Sequence, residues 1–343
     1  MKELSRYITE SLDNRYFDLI AVGDILPHRP ILDAVHTEAG YDFSSIFRYL
    51  KPIMKDYDIC FCNQETIIGG GEVKGGKDDK VRKDNKTAVV FNGPDSLGDC
   101  IIDTGFNMIS LANNHMYDME KSGLDYSRKY WSKKPVISSG QDEAKPESRV
   151  KLFKKNGIRV AFVAYTTFIN RFKHKDVIIP YTNIYSYNTA QNDIQYAKAN
   201  ADVVIVSIHW GTEYMEELIN YEQKTIAQQL SDLGVDIILG HHPHVVQQIG
   251  YVGKTLCVYS LGNCIACQQG DSTCKRIGGM ISLRVHNNNG MISLKNIKPC
   301  LLYMYYTEDY SDFCVIPFNQ LDDTKLIGFR EIQKEYENKF RIL

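Results

Sequence analysis

Val235-Asp236-Ile237-Ile238-Leu239-Gly240-His241-His242-Pro243-His244-Val245-Val246-Gln247 is the stretch from which the rest of the chain is read. Its apolar run, broken only by Asp236, predicts a buried strand. A glycine ends the run, and three of the nine histidines follow within four residues. Open α/β sheets bind ligands where strands leave the sheet at their carboxyl ends. A strand running into Gly-His-His-Pro-His therefore sets imidazoles at such an edge. Pro243 stiffens the turn and keeps a helix from continuing through His242 and His244. Neutral imidazole is the commonest metal ligand among side chains, so the pattern invites a transition metal. Taken alone, a single His-x-His is more often a polar surface turn.

Working outward, the same strand-then-polar pattern recurs. Asp202 to Ile208 predicts a strand delivering His209-Trp210-Gly211-Thr212-Glu213-Tyr214, and Asn107 to Leu111 one delivering Ala112-Asn113-Asn114-His115. Asp58 to Cys62 leads into Asn63-Gln64-Glu65-Thr66, and Phe17 to Val22 into Gly23-Asp24-Ile25-Leu26-Pro27-His28-Arg29. Ile158 to Tyr165 reads as a further strand, and Leu256 to Ser260 as one that exits into Leu261-Gly262-Asn263. An amphipathic helix is predicted over 221–233, with Ile226, Leu230 and Leu233 on one face and Gly234 as its stop. A second is predicted from Pro94 to Thr104, capped by Gly105. Residues 1–16 and 40–58 are predicted to be helical, and the glycine- and charge-rich segment 69–86 a mobile surface loop with the alternative role of a lid. Three alternating stretches, Gly279 to Arg284, Met291 to Lys295 and Leu301 to Tyr306, predict antiparallel strands closing a second sheet. With neither an internal repeat nor a clear linker, the expectation is one α/β domain over 1–343. Its core spans about 17–285, and strands and a tail follow over 286–343.

Composition bounds the function classes. Forty basic and 42 acidic residues give a net charge of −2, so bulk charge does not argue for nucleic acid or a membrane surface. Nine cysteines, an odd number with several in strand-like runs, read as small core hydrophobes in a reducing compartment rather than a disulfide framework. Cys264, Cys267 and Cys274 have the flavour of a zinc knuckle, but no second pair at knuckle spacing accompanies them. Neither a signal-peptide core nor a stretch of bilayer length is present in this sequence, and the expected location is the cytoplasm.

Five strand exits thus carry ligand-type side chains: Asp24, Glu65, Asn114 with His115, His209, and His242 with His244. Each is weak evidence alone; together they would require five unrelated accidents. Carboxylate, carboxamide and imidazole in one set suit two divalent ions a few ångströms apart, of manganese, iron, zinc or magnesium. A histidine outside the metal shell can protonate a leaving group. Trp210 and Tyr214 are expected to pack around the pocket. His241 is expected to be a turn or core histidine bonded to backbone.

In their order, these motifs together with Tyr259-Ser260-Leu261-Gly262-Asn263 resemble the CapA family of poly-γ-glutamate capsule biosynthesis proteins, within the calcineurin-like metallophosphoesterase superfamily. The resemblance covers about residues 17 to 285. It implies a four-layer α/β/β/α sandwich with the metal site at the strand carboxyl ends. By position, Asp24 resembles a ligand of the first metal, Glu65 the bridging carboxylate and Asn114 the carboxamide of the second metal. His115 resembles the catalytic imidazole, His209 and His242 ligands of the second metal, and His244 a ligand of the first. Arg29, His28, Asn113, Glu213 and Asn263 match positions expected to contact substrate or support the ligands. There are departures. The superfamily's Asp-x-His at the first strand is absent, His28 lying four residues beyond Asp24; glutamate replaces aspartate at the bridge; Cys264 replaces the usual aromatic after Ser-Leu-Gly-Asn; and the membrane anchor of many members is not seen in this sequence.

The resemblance implies a metal-dependent hydrolase or transferase acting on a glutamyl polymer or another small anionic substrate, with no nucleic-acid partner. A phosphoesterase on a small phosphoester is the alternative chemistry, since a metal-activated water can attack either centre. A non-catalytic, polymer-binding accessory subunit is the alternative class. Its support is the altered first-strand motif.

Overall fold

The computed structural model describes residues 14–81, 87–170, 179–216, 218–268, 272–288 and 290–343. Its strands, in chain order, are β1 (Asn14–Ile25), β2 (His36–Thr37), β3 (Gly40–Tyr41), β4 (Ile59–Gln64), β5 (Lys74–Val81) and β6 (Thr87–Asn92). Then come β7 (Met108–Ser110), β8 (Ile137–Ser139), β9 (Lys151–Lys155), β10 (Ile158–Thr166), β11 (Val203–His209) and β12 (Ile237–His241). The last are β13 (Ile249–Val252), β14 (Thr255–Val258), β15 (Asn263–Ile265), β16 (Ile277–Asn288), β17 (Met291–Tyr306) and β18 (Phe313–Pro317).

Two sheets carry the architecture. One runs β18-β17-β16-β1-β4-β7-β8, with β15 beside the end of β1; the other runs β13-β14-β12-β11-β10-β9. The middle of each is parallel: β1, β4, β7 and β8 in the first, and β10, β11, β12 and β14 in the second. Parallel strands buried on both faces read as near-continuous apolar runs, which is why periodicity found them. Within β1 the side chains nonetheless divide by alternation: Leu19 and Ala21 enter the cluster between the sheets, Ile20 and Val22 the outer one. The layer between the sheets is built from Phe17, Phe61, Phe162, Ile205, Leu239 and their neighbours. Outside the first sheet, Leu97 and Ile101 of helix Asp95–Thr104 and Tyr130 and Trp131 of helix Glu120–Trp131 pack on Ile20, Cys60 and Ile109. Outside the second, Ala190 and Ile194 of helix Tyr187–Asn200 and Ile226 and Leu230 of helix Tyr221–Leu233 cover Val204, Val206 and Ile238. The result is a helix, sheet, sheet, helix stack, as the resemblance implied.

The helix Tyr221–Leu233 begins and ends where the sequence placed it, closed by a capping box between Asn220 and Gln223 and by left-handed Gly234 at φ 89°. Pro94 is the N-cap of helix Asp95–Thr104 and Gly105, at φ 117°, closes it. Several expectations are corrected. Of the helix expected over 1–16, residues 1–13 lie outside the described residues; Asn14, Arg15 and Tyr16 are strand, paired with Asn288, Asn287 and His286 of β16. The long pairing with β16 outweighs any helical periodicity there. Between 40 and 58 the only helix is Leu50–Met54, because Pro52 has no N–H to give and is tolerated only in a first turn. The expected loop 69–86 contains β5, which pairs antiparallel with β6 from Lys74↔Asn92 to Val81↔Thr87, while residues 82–86 lie outside the description. The C-terminal strands do not close a second sheet. They extend the first, with β16 lying antiparallel to β1 over nine residue pairs from Asn14↔Asn288 to Val22↔Met280. Alternation in a sequence gives a strand's faces but not its partner.

All nine cysteines are free, and Cys60, Cys62, Cys257, Cys264, Cys267 and Cys314 are buried. Cys264 and Cys267 lie in the apolar layer under the first sheet, so the knuckle reading finds no support in their placement. Among the described residues, no helix is long and apolar enough to cross a membrane.

Candidate metal centre

Two close backbone crossings bring the strand exits together. At the end of β1 a Cβ on Gly23 would stand 1.9 Å from the Gly262 carbonyl oxygen, and the Asp24 N–H donates to that same oxygen at 2.9 Å. At the end of β12 a Cβ on Gly240 would stand 2.1 Å from the Tyr259 carbonyl oxygen. Only glycine admits such approach. The turn after β12 is equally particular: His242 and His244 adopt positive φ, 96° and 58°, on either side of Pro243. Non-glycine residues rarely take that conformation, and where they do the surroundings impose it, commonly at functional sites.

These constraints converge the expected side chains. Asp24 is fully buried, accepting from Asn63 Nδ2 at 2.8 Å and from the His242 N–H at 3.3 Å. His241 Nδ1 lies 3.2 Å and His244 Nδ1 3.5 Å from its oxygens. Burial pushes the Asp24 carboxyl up, but His241 and His244 outweigh that and hold it well below its ordinary value. Glu65 is equally buried, and neither of its oxygens has a hydrogen-bond partner. Here burial prevails, helped by the Asp24 charge, and raises the Glu65 carboxyl. His209 Nε2 stands 2.9 Å from Asn114 Oδ1 and 3.5 Å from Glu65 Oε1, and His244 Nε2 stands 3.7 Å from the same oxygen. The Asn63 carboxamide joins the two halves, its Nδ2 also 3.4 Å from His209 Nδ1. The imidazole of His242 lies 4.8 Å from that of His209 and 5.8 Å from that of His244, centre to centre.

This donor set fits a divalent cation. Glu65, His242 and His244 offer ligand atoms all within 4.8 Å of one another. Ligands about 2.0–2.2 Å from one ion stand roughly 3–4 Å apart, and His244 Nε2 and Glu65 Oε1, at 3.7 Å, fall in that range. The stronger observation is what lacks a partner: both Glu65 oxygens, Asn63 Oδ1 and His242 Nδ1 are buried and unbonded. An orphaned buried carboxylate is costly in a folded protein unless a cation compensates it. The His242 imidazole is correspondingly pushed down to about 3 by burial and by nearby His244, and burial likewise lowers His209 well below the usual range. Neutral imidazole is the ligating form.

His115 sits beside this cluster with its own support. Its Nδ1 donates to Asp118 Oδ2 at 2.7 Å, and that oxygen also accepts from the Phe91 N–H at 2.7 Å. Phe91 meets the imidazole edge-on at 4.7 Å. Burial would lower the His115 imidazole, but Asp118 reverses the effect and it is raised. Asn113 is structural: Oδ1 accepts the His115 N–H and Nδ2 donates to the Gln64 carbonyl. Asn263 is likewise a positioning group, accepting from His244 Nδ1 at 2.9 Å and donating to the His244 and Lys275 carbonyls. His28 donates from Nδ1 to the Leu26 carbonyl at 2.8 Å and packs edge-on against Phe91 at 5.0 Å.

Other expected residues lie outside the buried donor set. Arg29 is on the surface, paired with Asp33 at 2.8 Å. Glu213 is exposed at the rim, where it bonds the Tyr214 side chain and its charge reaches Glu65 and His244. Trp210 is packing, as expected, fully buried with Nε1 donating to the Tyr259 carbonyl. Tyr214 also lies against the pocket, at its rim, 41% exposed with its ring 6.1 Å from that of His244. His241 is a core residue, as expected, but it is bonded to no backbone group; it lies under Asp24 with its ring 5.5 Å from Phe61. Sequence reading also passed over Asn63, Asp118, Asn170 and Phe168. Asn63 had a signal, being the residue at the β4 exit beside Glu65, and Asp118 lies three residues after His115. Asn170, which accepts from Asn114 Nδ2 at 3.1 Å, and Phe168, 4.9 Å from the His242 ring, carried no local signal at all.

The sequence model of the family described as "Bacterial capsule synthesis protein PGA_cap" matches residues 18–268. Among curated relatives, the "PGA biosynthesis protein CapA" of Bacillus subtilis (strain 168) is 29% identical over 257 residues, covering 71% of this chain and 61% of that protein. The "Capsule biosynthesis protein CapA" of Bacillus anthracis is 28% identical over 256 residues, covering 73% of this chain and 60% of that protein. The chain thus spans about three fifths of the length of these relatives. Among solved structures, the calcineurin-like phosphoesterase YfkN from Bacillus subtilis has a TM-score of 0.47 at 12% identity, over 95% of this chain and 100% of the other. The Haemophilus influenzae NAD nucleotidase NadN has a TM-score of 0.49 at 12% identity, over 96% and 57%. At these scores the structural likeness is loose. The match over more than half of its length is decisive for membership: the chain belongs to the bacterial capsule synthesis protein family PGA_cap.

Proposed function

We propose that the chain is a metal-dependent hydrolase or transferase acting on γ-glutamyl amide bonds of a capsule-type polymer. The observation that carries this reading is the pair of unbonded, fully buried Glu65 oxygens facing His209 and His244, with a charged-assisted His115–Asp118 pair beside them. Asp24 and His244 would hold one divalent ion, Asn114, His209 and His242 a second, and Glu65 would lie between them. Ions so placed lower the pKa of water and polarise the bond under attack. The chain's own residues supply the rest. Asn63 fixes Asp24, Asn170 fixes Asn114, and Asn263 fixes His244, so that each donor is held before substrate arrives. His115, whose imidazole Asp118 holds above its ordinary pKa, gives a proton to the leaving nitrogen.

The relatives' names support the choice of a glutamyl polymer, and a buried acid–base pair beside an anionic donor cluster favours an enzyme over a binding subunit. The test is turnover by purified, manganese-loaded protein of poly-γ-glutamate, followed by release of new amino termini, alongside p-nitrophenyl phosphate. Cleavage or transfer of the polymer supports the proposal. Turnover of the phosphate ester alone replaces it with the phosphoesterase reading, and turnover of neither sinks both.

A further inference from the structure

The short segment from Thr166, where β10 ends, to Asn170 touches His209, His242, Asn114 and His115 together. Its bend is locked from within. The Thr166 N–H donates to the Asn183 carbonyl at 3.0 Å, and the Thr166 hydroxyl donates to the Phe168 carbonyl at 2.8 Å. From there each residue in turn reaches the centre. The Thr167 N–H donates to the His209 carbonyl at 3.0 Å, and the Phe168 ring meets that of His242 edge-on at 4.9 Å. Ile169 is buried against Met116, the residue after His115. Asn170 binds Asn114 twice: its N–H donates to the Asn114 carbonyl at 3.0 Å, and its Oδ1 accepts from Asn114 Nδ2 at 3.1 Å. The remaining group of Asn170, Nδ2, lies 3.4 Å from each ring nitrogen of His115. Nδ1 of that ring already donates to Asp118, so the carboxamide rests across the imidazole and not on one nitrogen. Two carboxamides in series thus join His209 Nε2 to the His115 ring.

From this chain of contacts we infer that Asn170 is a positioning residue that ties His115 to the second-ion side of the centre. One carboxamide thereby governs both the hold on that ion and the placement of the acid. The inference rests on the proposed two-ion centre and on no particular substrate. An Asn114 that gives Oδ1 to an ion keeps Nδ2 as the group by which its plane can be fixed, and Asn170 takes that group. The acid needs the same support from its other side. Asp118 holds one ring nitrogen of His115 and Phe91 meets the ring edge-on, which leaves the face toward Asn170 to be closed. A group so surrounded is held in one rotamer before it acts.

The experiment needs no substrate. Calorimetric titration with Zn²⁺, which is diamagnetic, gives the affinities of the two ions. Proton NMR of the downfield ring N–H of His115, identified by its loss in His115→Ala, reports how firmly the imidazole is held. In Asn170→Ala the second ion is expected to bind about ten- to a hundredfold more weakly, the first as in wild type. At saturating Zn²⁺, with both ions restored, the His115 signal is expected to stay broadened by exchange. Ile169→Ala is the control, because it thins the packing on Met116 and removes none of these hydrogen bonds. It lowers the melting temperature while both ion affinities and the signal match wild type. An Asn170→Ala protein with wild-type affinity for the second ion, or with a signal that sharpens fully at saturation, refutes the tie and leaves the proposed function standing. Equal losses in Ile169→Ala also refute it, since any loosening of the segment would then suffice. Wild type that takes up fewer than two ions brings down the two-ion centre of the proposed function, and the tie with it.

Discussion

Glu65→Gln tests the metal centre without reference to any substrate. In the metal-free protein this carboxyl is buried, both its oxygens lack partners, and burial together with Asp24 raises its pKa to about 8. The native state therefore retains a proton that the unfolded chain gives up at the ordinary value of 4.5. A raised carboxyl contributes its full stability below the unfolded value and loses it as pH climbs through the native one. Metal-free wild type is thus expected to weaken between about pH 4.5 and 8, by at most about 1.4 kcal/mol per pH unit. Leaving a charged group buried and unsatisfied costs about 1–3 kcal/mol or more. Glutamine has the same shape without the titration, so the EDTA-treated variant is expected to melt higher than wild type at pH 8 and equal to it at pH 5. Metal reverses the order. Saturating Mn²⁺ at about a hundred times its dissociation constant stabilises wild type by about 2.7 kcal/mol, or a few degrees for a chain of this size, and the variant by much less. Differential scanning calorimetry at both pH values, with and without Mn²⁺, reads all four states. A variant that is less stable than wild type when metal-free, yet keeps the full Mn²⁺ shift, would refute the assignment of Glu65 as a ligand.

Further outcomes follow from other parts of the structure. His115→Ala is expected to lower turnover of the substrate that proves active by about two to four orders of magnitude. Asp118→Asn should lower it less while shifting the alkaline limb of the pH–rate profile to lower pH, because the imidazole loses the carboxylate that raises it; an unchanged profile would deny Asp118 that part. His28, pushed down to about 3 mainly by burial, should make metal-free protein lose stability as pH falls from 6.5, since only the unfolded imidazole takes up a proton there. His28→Gln is expected to flatten that slope by up to about 1.4 kcal/mol per pH unit, measured by urea titration at pH 6.5 and pH 5; parallel slopes would contradict it. Gly23→Ala forces a methyl against the Gly262 carbonyl and should cost at least about 1–3 kcal/mol of stability, with loss of Mn²⁺ binding as Asp24 moves; a neutral effect in denaturation and metal titration would show that the two turns can separate.

Much of the layered fold and most of the cluster could be read in the chain before any coordinates. Strands such as β11 and β12, buried on both faces, declare themselves as apolar runs, and a glycine followed by polar donors marks where each leaves the sheet. That local signal fixes which residues stand at a sheet edge, and so brought Asp24, Glu65, Asn114, His209, His242 and His244 into one list. It has no knowledge of partners. Whether β16 to β18 add to the first sheet or build a second depends on backbone pairing across more than two hundred residues, which no window of sequence contains. The same limit hid His241 under Asp24, Asn170 beside Asn114, and Lys275 over Tyr214. Nor did it show the ion pair that Arg29 makes with Asp33 on the surface. Side-chain chemistry and strand ends are written locally in the chain; which of those groups meet, and which are left without a partner until a cation arrives, is decided only when the sheets are stacked.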